Sequence, residues 1–226
     1  MLYFLVYNDG NYIHYLNKLL SSVTQYGPEF KIVIFNKKDM DYEFVKKNEN
    51  ILSGTTGGGW WLWKPYIINN VLSKINENDI VFYLDSKYYF IENFKELYNE
   101  YMLKNDILVF KNKPNEPQYL MKHWCKMDVI QKYNIYNEVF NENCNICWAG
   151  AIIIKKTPNT VLYIKEWLDI AAVYENITLS PSKIKDHSEF IEHRCDQSLL
   201  SVVLIKNNIK THFLEKRFLQ NVRVPF

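Results

Sequence analysis

The chain is short of most features that place a protein in a special class. No apolar run in its 226 residues approaches the ~18 needed to cross a bilayer. Met1 to Tyr7 is apolar, but it is too short for a secretion-signal core and no basic region precedes it. A cytoplasmic protein is therefore expected, in the host cytoplasm if the gene is viral. An excess of one charge is also missing. The 27 Lys+Arg and 25 Asp+Glu leave a net charge of +2, so nothing pulls the chain generally toward nucleic acid or an anionic membrane. There is no internal repeat and no low-complexity linker. Cysteine is scarce, with only Cys125, Cys144, Cys147 and Cys195. Cys144-Asn145-Ile146-Cys147 has zinc or redox spacing, but only His123-Trp124-Cys125 and His193-Arg194-Cys195 stand in for a second pair. Buried free thiols are the expectation. Gly57-Gly58-Gly59 would let backbone amides approach a phosphate, but no Lys-Ser/Thr pair follows at Walker spacing, so a P-loop is a poor fit.

What is present fits one large α/β domain. Hydrophobic content of 48% and charged content of 23% allow a sizeable core. Aromatic content reaches 16%, with 17 Tyr and 6 Trp. Aromatic walls hold flat ligands such as bases and sugar faces. Abundant Asn, Lys, Ile and Tyr is also what an AT-rich genome encodes. Apolar runs predict strands at Leu2–Tyr7, Lys31–Phe35, Ile80–Leu84, Asp106–Phe110, Trp148–Lys155 and Lys210–Leu214. Between them, helices are expected from Ile13 to the Gly27-Pro28 stop, from Asp39 through Lys47, and over Trp60–Ser73, Ile91–Leu103 and Tyr119–Tyr133. A further helix starts at Thr157-Pro158 with a cap and a proline at its first position, and another covers Asp196–Lys206. Glu175–Glu192 reads as an irregular active-site loop. Strands separated by helices predict a mostly parallel sheet with right-handed crossovers.

The run Asp79-Ile80-Val81-Phe82-Tyr83-Leu84-Asp85-Ser86-Lys87 carries most of the chemical information. Its apolar stretch reads as a buried strand that ends on a carboxylate. Open α/β sheets bind ligands beyond the carboxyl ends of their strands. Asp85 is thus either a group for a metal, a ribose or a phosphate, or the cap of the next helix.

Three segments together resemble the GT-A-type glycosyltransferases, the galactosyl- and glucosyltransferase-like members included. Phe82-Tyr83-Leu84-Asp85-Ser86 resembles their Asp-x-Asp element. Trp148-Ala149-Gly150-Ala151-Ile152-Ile153-Ile154 is similar to their Asn-Ala-Gly-Val strand. Arg194-Cys195-Asp196-Gln197-Ser198-Leu199-Leu200 is similar to the Asp-Gln helix start that follows it. The resemblance implies a Rossmann-like fold and one domain over 1–226. Residues 1–110 would form the nucleotide-sugar half and 111–226 the acceptor half. It implies transfer of a sugar, a hexose by preference, from a nucleoside diphosphate sugar (UDP favoured) to a hydroxyl on a glycan or protein. The alternative is a catalytically inactive relative that binds sugar nucleotide or glycan. A nucleotidyltransferase of similar fold is disfavoured, because the Gly-rich basic signature near the N-terminus is missing.

The resemblance also implies roles. The family's second acid is Lys87 here. Either Asp85 alone holds Mn²⁺ or Mg²⁺ with waters completing the shell, or Lys87 neutralises the phosphates itself, or Lys87 points to solvent. His212 is a candidate second metal ligand. Tyr7 or Tyr12 would stack on the base, and Asn8 or Asp9 would read its edge or the ribose; Asp9 also suits a helix cap. Lys64, in Gly59-Trp60-Trp61-Leu62-Trp63-Lys64-Pro65-Tyr66, is either a diphosphate or ribose ligand or a solvated helix lysine. Trp60, Trp61, Trp124, Trp148 and Gly150 are acceptor-side candidates, with His193, Arg194 and Gln197 behind them. Asp196 is the favoured catalytic acid beside Asp85, kept ionised by its helix start, or else a helix cap.

Overall fold

The computed structural model describes residues 1–10, 13–111, 117–142, 144–214 and 218–221. Tyr12 lies outside these residues. Among them, strands β1 (Leu2–Tyr7), β2 (Lys31–Phe35), β3 (Ile80–Leu84), β4 (Tyr88–Phe90), β5 (Ile107–Lys111), β6 (Cys147–Lys155), β7 (His212–Phe213) and β8 (Leu219–Asn221) make two sheets. The main sheet has the order β2-β1-β3-β6-β5-β7, and β4 pairs with β8. β1 is parallel to β2 and β3, and β5 is parallel to β7. In the main sheet only β6 runs against its neighbours, and β4 and β8 are antiparallel to each other. The mostly parallel, Rossmann-like α/β sheet is as expected.

The central strands are apolar throughout because both faces of the sheet are covered. Successive residues feed opposite layers. Leu5, Tyr7, Val81, Tyr83, Val109, Ile152 and Ile154 join one core layer, with Leu72 of helix Trp63–Lys74, Ile164 of helix Pro158–Ala171 and Leu199 of helix Cys195–Lys206. Phe4, Val6, Phe82, Leu84, Leu108 and Ile153 join the other, with Leu19 of helix Ile13–Tyr26 and Leu97 of helix Phe94–Tyr101. Asp85 follows Tyr83 by two residues, so alternation places it on the Tyr83 side. That face carries the functional groups.

Several boundaries differ from expectation. The helix predicted from Trp60 begins at Trp63, because the glycine run before it folds left-handed. Tyr88–Phe90 is a strand, and the helix after it starts at Phe94, capped by Asn93. Asp41, not Asp39, caps Tyr42–Lys47. The helix expected over Tyr119–Tyr133 is broken into a turn at Met121–His123 and a helix at Met127–Lys132. Within the expected Glu175–Glu192 loop, a short helix covers Tyr174–Ile177 and the irregular chain follows it. The last predicted strand shortens to His212–Phe213. Pro158–Ala171 starts as predicted, with Thr157 Oγ1 accepting from the Thr160 N–H at 3.2 Å.

Candidate functional site

β3 delivers Asp85 to the carboxyl edge of the sheet. Its N–H donates to the Gly150 carbonyl at 2.9 Å, which extends the β3–β6 ladder by one residue. The Tyr83 hydroxyl, buried on the same face, donates to Asp85 Oδ1 at 2.6 Å. A tight turn follows, closed by the Tyr88 N–H on the Asp85 carbonyl at 3.0 Å, and it lifts Ser86 and Lys87 over the strand end. Lys87 Nζ stands 3.6 Å from Asp85 Oδ2. Beside this, β6 bulges: Val109 pairs with Ile152 but the next residue, Phe110, pairs with Trp148. Bulges of this kind re-aim groups next to functional sites. Here the bulge turns the Ala149 carbonyl toward Lys64 Nζ, at 3.2 Å. Gly150 is required because the Trp148 indole folds over it; a Cβ there would sit 2.5 Å from the indole Nε1.

Lys64 lies in the first turn of its helix and is only 3% exposed. It is neither solvated nor part of the cleft wall. Its ammonium is 2.8 Å from Asp196 Oδ2 and 3.5 Å from Asp85 Oδ1. Burial works to lower its pKa, and Asp196 then Asp85 outweigh that, so the net shift is upward. Asp196 is 5% exposed in the first turn of helix Cys195–Lys206. Burial raises its pKa against the opposing pull of Lys64. The expectation that the helix start alone keeps it ionised is therefore corrected: burial dominates, and the compensating charge is Lys64. The result is a row of carboxylate, ammonium and carboxylate, with Asp85 at the open end and Asp196 sealed behind.

Asp85, Ser86 and Lys87 line a cleft of about 620 Å³ together with Tyr7, Asn8, Asp9, Gly57, Gly58 and Trp61. Its size suits a ligand of a few tens of atoms. Tyr7 and Trp63 stack at 4.0 Å with planes 13° apart, and Trp63 Nε1 donates to the Gly57 carbonyl at 2.8 Å. Burial, then Asp9, pushes the Tyr7 hydroxyl up to about 12. Gly57 through Trp61 all have positive φ, from 55° to 105°. An L-residue in this region costs roughly 1–2 kcal/mol, so Trp60 and Trp61 are strained and the three glycines are not. Each ring is seated on a glycine: Trp60 against Gly54 and Trp61 against Gly57. Gly58 presents bare backbone to the cleft, where a Cβ would meet nothing nearer than 3.8 Å.

Asn8 is 9% exposed and lines the cleft. Its Oδ1 accepts from the Gly10 N–H at 2.8 Å, which orients the amide. Its Nδ2 is buried with no hydrogen-bond partner. A buried donor left without a partner costs roughly 1–3 kcal/mol, so this one is suited to a ligand acceptor.

The remaining expected residues are scattered. Trp148 is half-buried and meets Tyr88 edge-on at 4.9 Å. His193 is sealed in the core, where Nε2 donates to the Asn176 carbonyl at 2.7 Å and Nδ1 accepts from the Lys126 N–H at 3.4 Å. Burial, then the Lys126 charge, lowers its pKa to about 3. The Gln197 carbonyl accepts from the Ser201 hydroxyl within its own helix at 2.9 Å. The Arg194 guanidinium lies over the Trp124 ring at 4.2 Å. His212 sits on β7, separated from β3 by β6 and β5, so it is not brought to Asp85. All four cysteines are free, and burial raises every thiol. Tyr15, Lys37, Thr55 and Trp63 line the cleft without having been singled out. Lys37 follows the carboxyl end of β2, so the strand-end rule that pointed to Asp85 also pointed there.

The divalent cation that the resemblance implies does not fit these residues. Asp85 Oδ1 already faces Tyr83 and Lys64, and Oδ2 faces Lys87. Among the described residues, no three His, Cys, Asp or Glu side chains gather where a metal would need them.

No family model matches the chain, and no curated protein matches it in sequence. Solved structures do match in fold. The bifunctional glycosyltransferase WbbM superposes with a TM-score of 0.54 at 13% identity over 94% of this chain. The chain spans only 38% of that protein's length. Mouse xyloside xylosyltransferase 1 superposes with a TM-score of 0.53 at 12% identity, over 95% of this chain and 85% of its own. The fold is the GT-A type that these glycosyltransferases share.

Proposed function

We propose that the protein is a glycosyltransferase that moves a sugar, a hexose by preference, from a nucleoside diphosphate sugar to a hydroxyl on a glycan or protein. UDP is the favoured nucleotide. The observation that carries this is one cleft that gathers the Tyr7–Trp63 stack, Trp61, Asp85 and Lys87, with Asn8 in its wall and the buried Asn8 Nδ2 lacking an acceptor in the protein. A base edge with carbonyl oxygens, as in uracil, supplies the missing acceptor. The Tyr7–Trp63 wall and the Trp61 ring flank the flat part of the ligand. The diphosphate then reaches the Asp85–Tyr88 turn. Of the two acids in the cleft wall, Asp9 and Asp85, Asp85 is the one oriented by Tyr83, and it faces the reacting end of the donor. Asp196 acts through Lys64 as a positioning residue, because it is sealed away from the cleft.

Calorimetry and thermal shift with UDP-, GDP- and dTDP-sugars test the reading. A ligand at about 100 times its Kd adds ~2.7 kcal/mol of stability. Asn8→Asp keeps the acceptor for Gly10 and replaces the free donor. It should weaken UDP binding by about tenfold or more, with circular dichroism checking the fold, because a carboxylate at a site 9% exposed also costs stability. No stabilisation by any nucleotide sugar, or full affinity in Asn8→Asp, would contradict the proposal. The sealing of Asp196 favours one second reading, a binder without turnover. Release of sugar from the bound donor, onto an acceptor or water, separates the two.

A further inference from the structure

Two ammonium groups sit on the Asp85 carboxylate in the cleft wall, and they are not equivalent. Lys64 is fixed: it is 3% exposed and held by Asp196 at 2.8 Å, the Ala149 carbonyl at 3.2 Å and Asp85 at 3.5 Å. Lys87 is exchangeable. Its side chain is 35% exposed, on a turn, and its ion pair at 3.6 Å is longer than a hydrogen bond. When Lys87 leaves, Asp85 keeps Lys64 and the 2.6 Å hydrogen bond from Tyr83. The carboxylate is therefore not stranded by the loss of Lys87. Lys37 also lines the cleft, with its Nζ donating to the Leu52 carbonyl at 3.2 Å.

Resting on the nucleotide-sugar reading above, we infer that the diphosphate is held by lysine and not by a divalent cation. Lys87 swings from Asp85 Oδ2 onto the phosphate oxygens, and Lys37 supplies a second ammonium from the cleft wall. The exchange replaces one anionic partner of Lys87 by another, so no new charge is desolvated without compensation. A lysine ammonium is a compact point charge suited to phosphate. After Lys87 leaves, Lys64 and the Tyr83 hydroxyl stay on Asp85 Oδ1, so only Oδ2 is left to a competing cation.

UDP is the probe, titrated by calorimetry into the full chain in EDTA and again in excess Mn²⁺. The wild type should bind with Kd values within about threefold of each other. Lys87→Met should weaken binding in EDTA by tenfold or more, which is about 1.4 kcal/mol, and Lys87→Arg should recover most of it. Lys87→Asp should make UDP binding depend on Mn²⁺. Far-ultraviolet circular dichroism checks that each variant is folded. UDP binding by the wild type only when Mn²⁺ is present would overturn the inference and leave the nucleotide-sugar reading standing. So would wild-type affinity in EDTA for folded Lys87→Met. Binding of neither UDP, GDP nor dTDP in either buffer would remove both.

Discussion

Replacing Lys64 by methionine should destabilise the protein by about 3–5 kcal/mol at neutral pH, the usual cost of removing one partner from a buried ion pair. The structure gives the reason for a value at the upper end. The ammonium is 3% exposed and faces two carboxylates, at 2.8 Å and 3.5 Å. At an effective dielectric of about 20 the two attractions are roughly 6 and 5 kcal/mol before desolvation is subtracted. Asp85 can turn to water or to Lys87, but Asp196 cannot. The variant therefore leaves Asp196 buried with its main compensating charge gone. Total stabilities of about 5–15 kcal/mol exceed this loss over most of their range. Urea unfolding at constant m reads the loss directly. The double variant Lys64→Met, Asp196→Asn removes the stranded charge and should return to within about 2 kcal/mol of wild type. The pH dependence is the sharper check. Burial raises the Asp196 pKa, and losing Lys64 raises it further. A raised carboxylate contributes stability that is complete below its unfolded value and is lost as pH rises through the folded one. Lys64→Met should thus gain stability on acidification, by up to about 1.4 kcal/mol per pH unit. A loss under about 1 kcal/mol, or no gain on acidification, would show that water reaches Asp196 and that the row of charges is not sealed.

His193 has a folded pKa near 3 against an ordinary value of 6.5, so its neutral form contributes stability above 6.5 that is lost as pH falls toward 3. His193→Asn should flatten the acid limb of a urea-midpoint profile between pH 6.5 and pH 4, and an unchanged slope would argue against a buried neutral imidazole. Gly58→Ala should cost about 1 kcal/mol of stability for its φ of 62° but weaken UDP binding by tenfold or more, since the methyl enters the cleft. Calorimetry showing wild-type affinity in that variant would mean that no ligand approaches this backbone.

Much of the framework was legible because it is local. Continuous apolar runs marked β1, β2 and β3, and Thr157-Pro158 marked a helix start to the residue. What was missed depends on contacts far along the chain. β4 has only three residues, and its partner is β8, near the other end of the sequence. Trp60 and Trp61 fit a helical pattern, yet the glycines before them admit a left-handed path that seats each indole on a glycine. Lys64 carries no local sign that it is buried. Its environment is made by the β6 bulge and by the helix bearing Asp196.

One part of the site follows from strand parity once the sheet order is known. Alternation along β3 puts Val81, Tyr83 and Asp85 on one face, and the same parity along β1 puts Leu5 and Tyr7 there. The sheet order places β1 beside β3, so the two strand ends are neighbours. A tyrosine and an aspartate therefore arrive together at the carboxyl edge, on a face covered by later helices. Of the lysines in the helix after the glycine run, Lys64 lies in its first turn and Lys74 at its far end. Of the two, Lys64 is on the strand-end side, and it takes the structure to show that Asp196 at 2.8 Å and Asp85 at 3.5 Å hold it buried there.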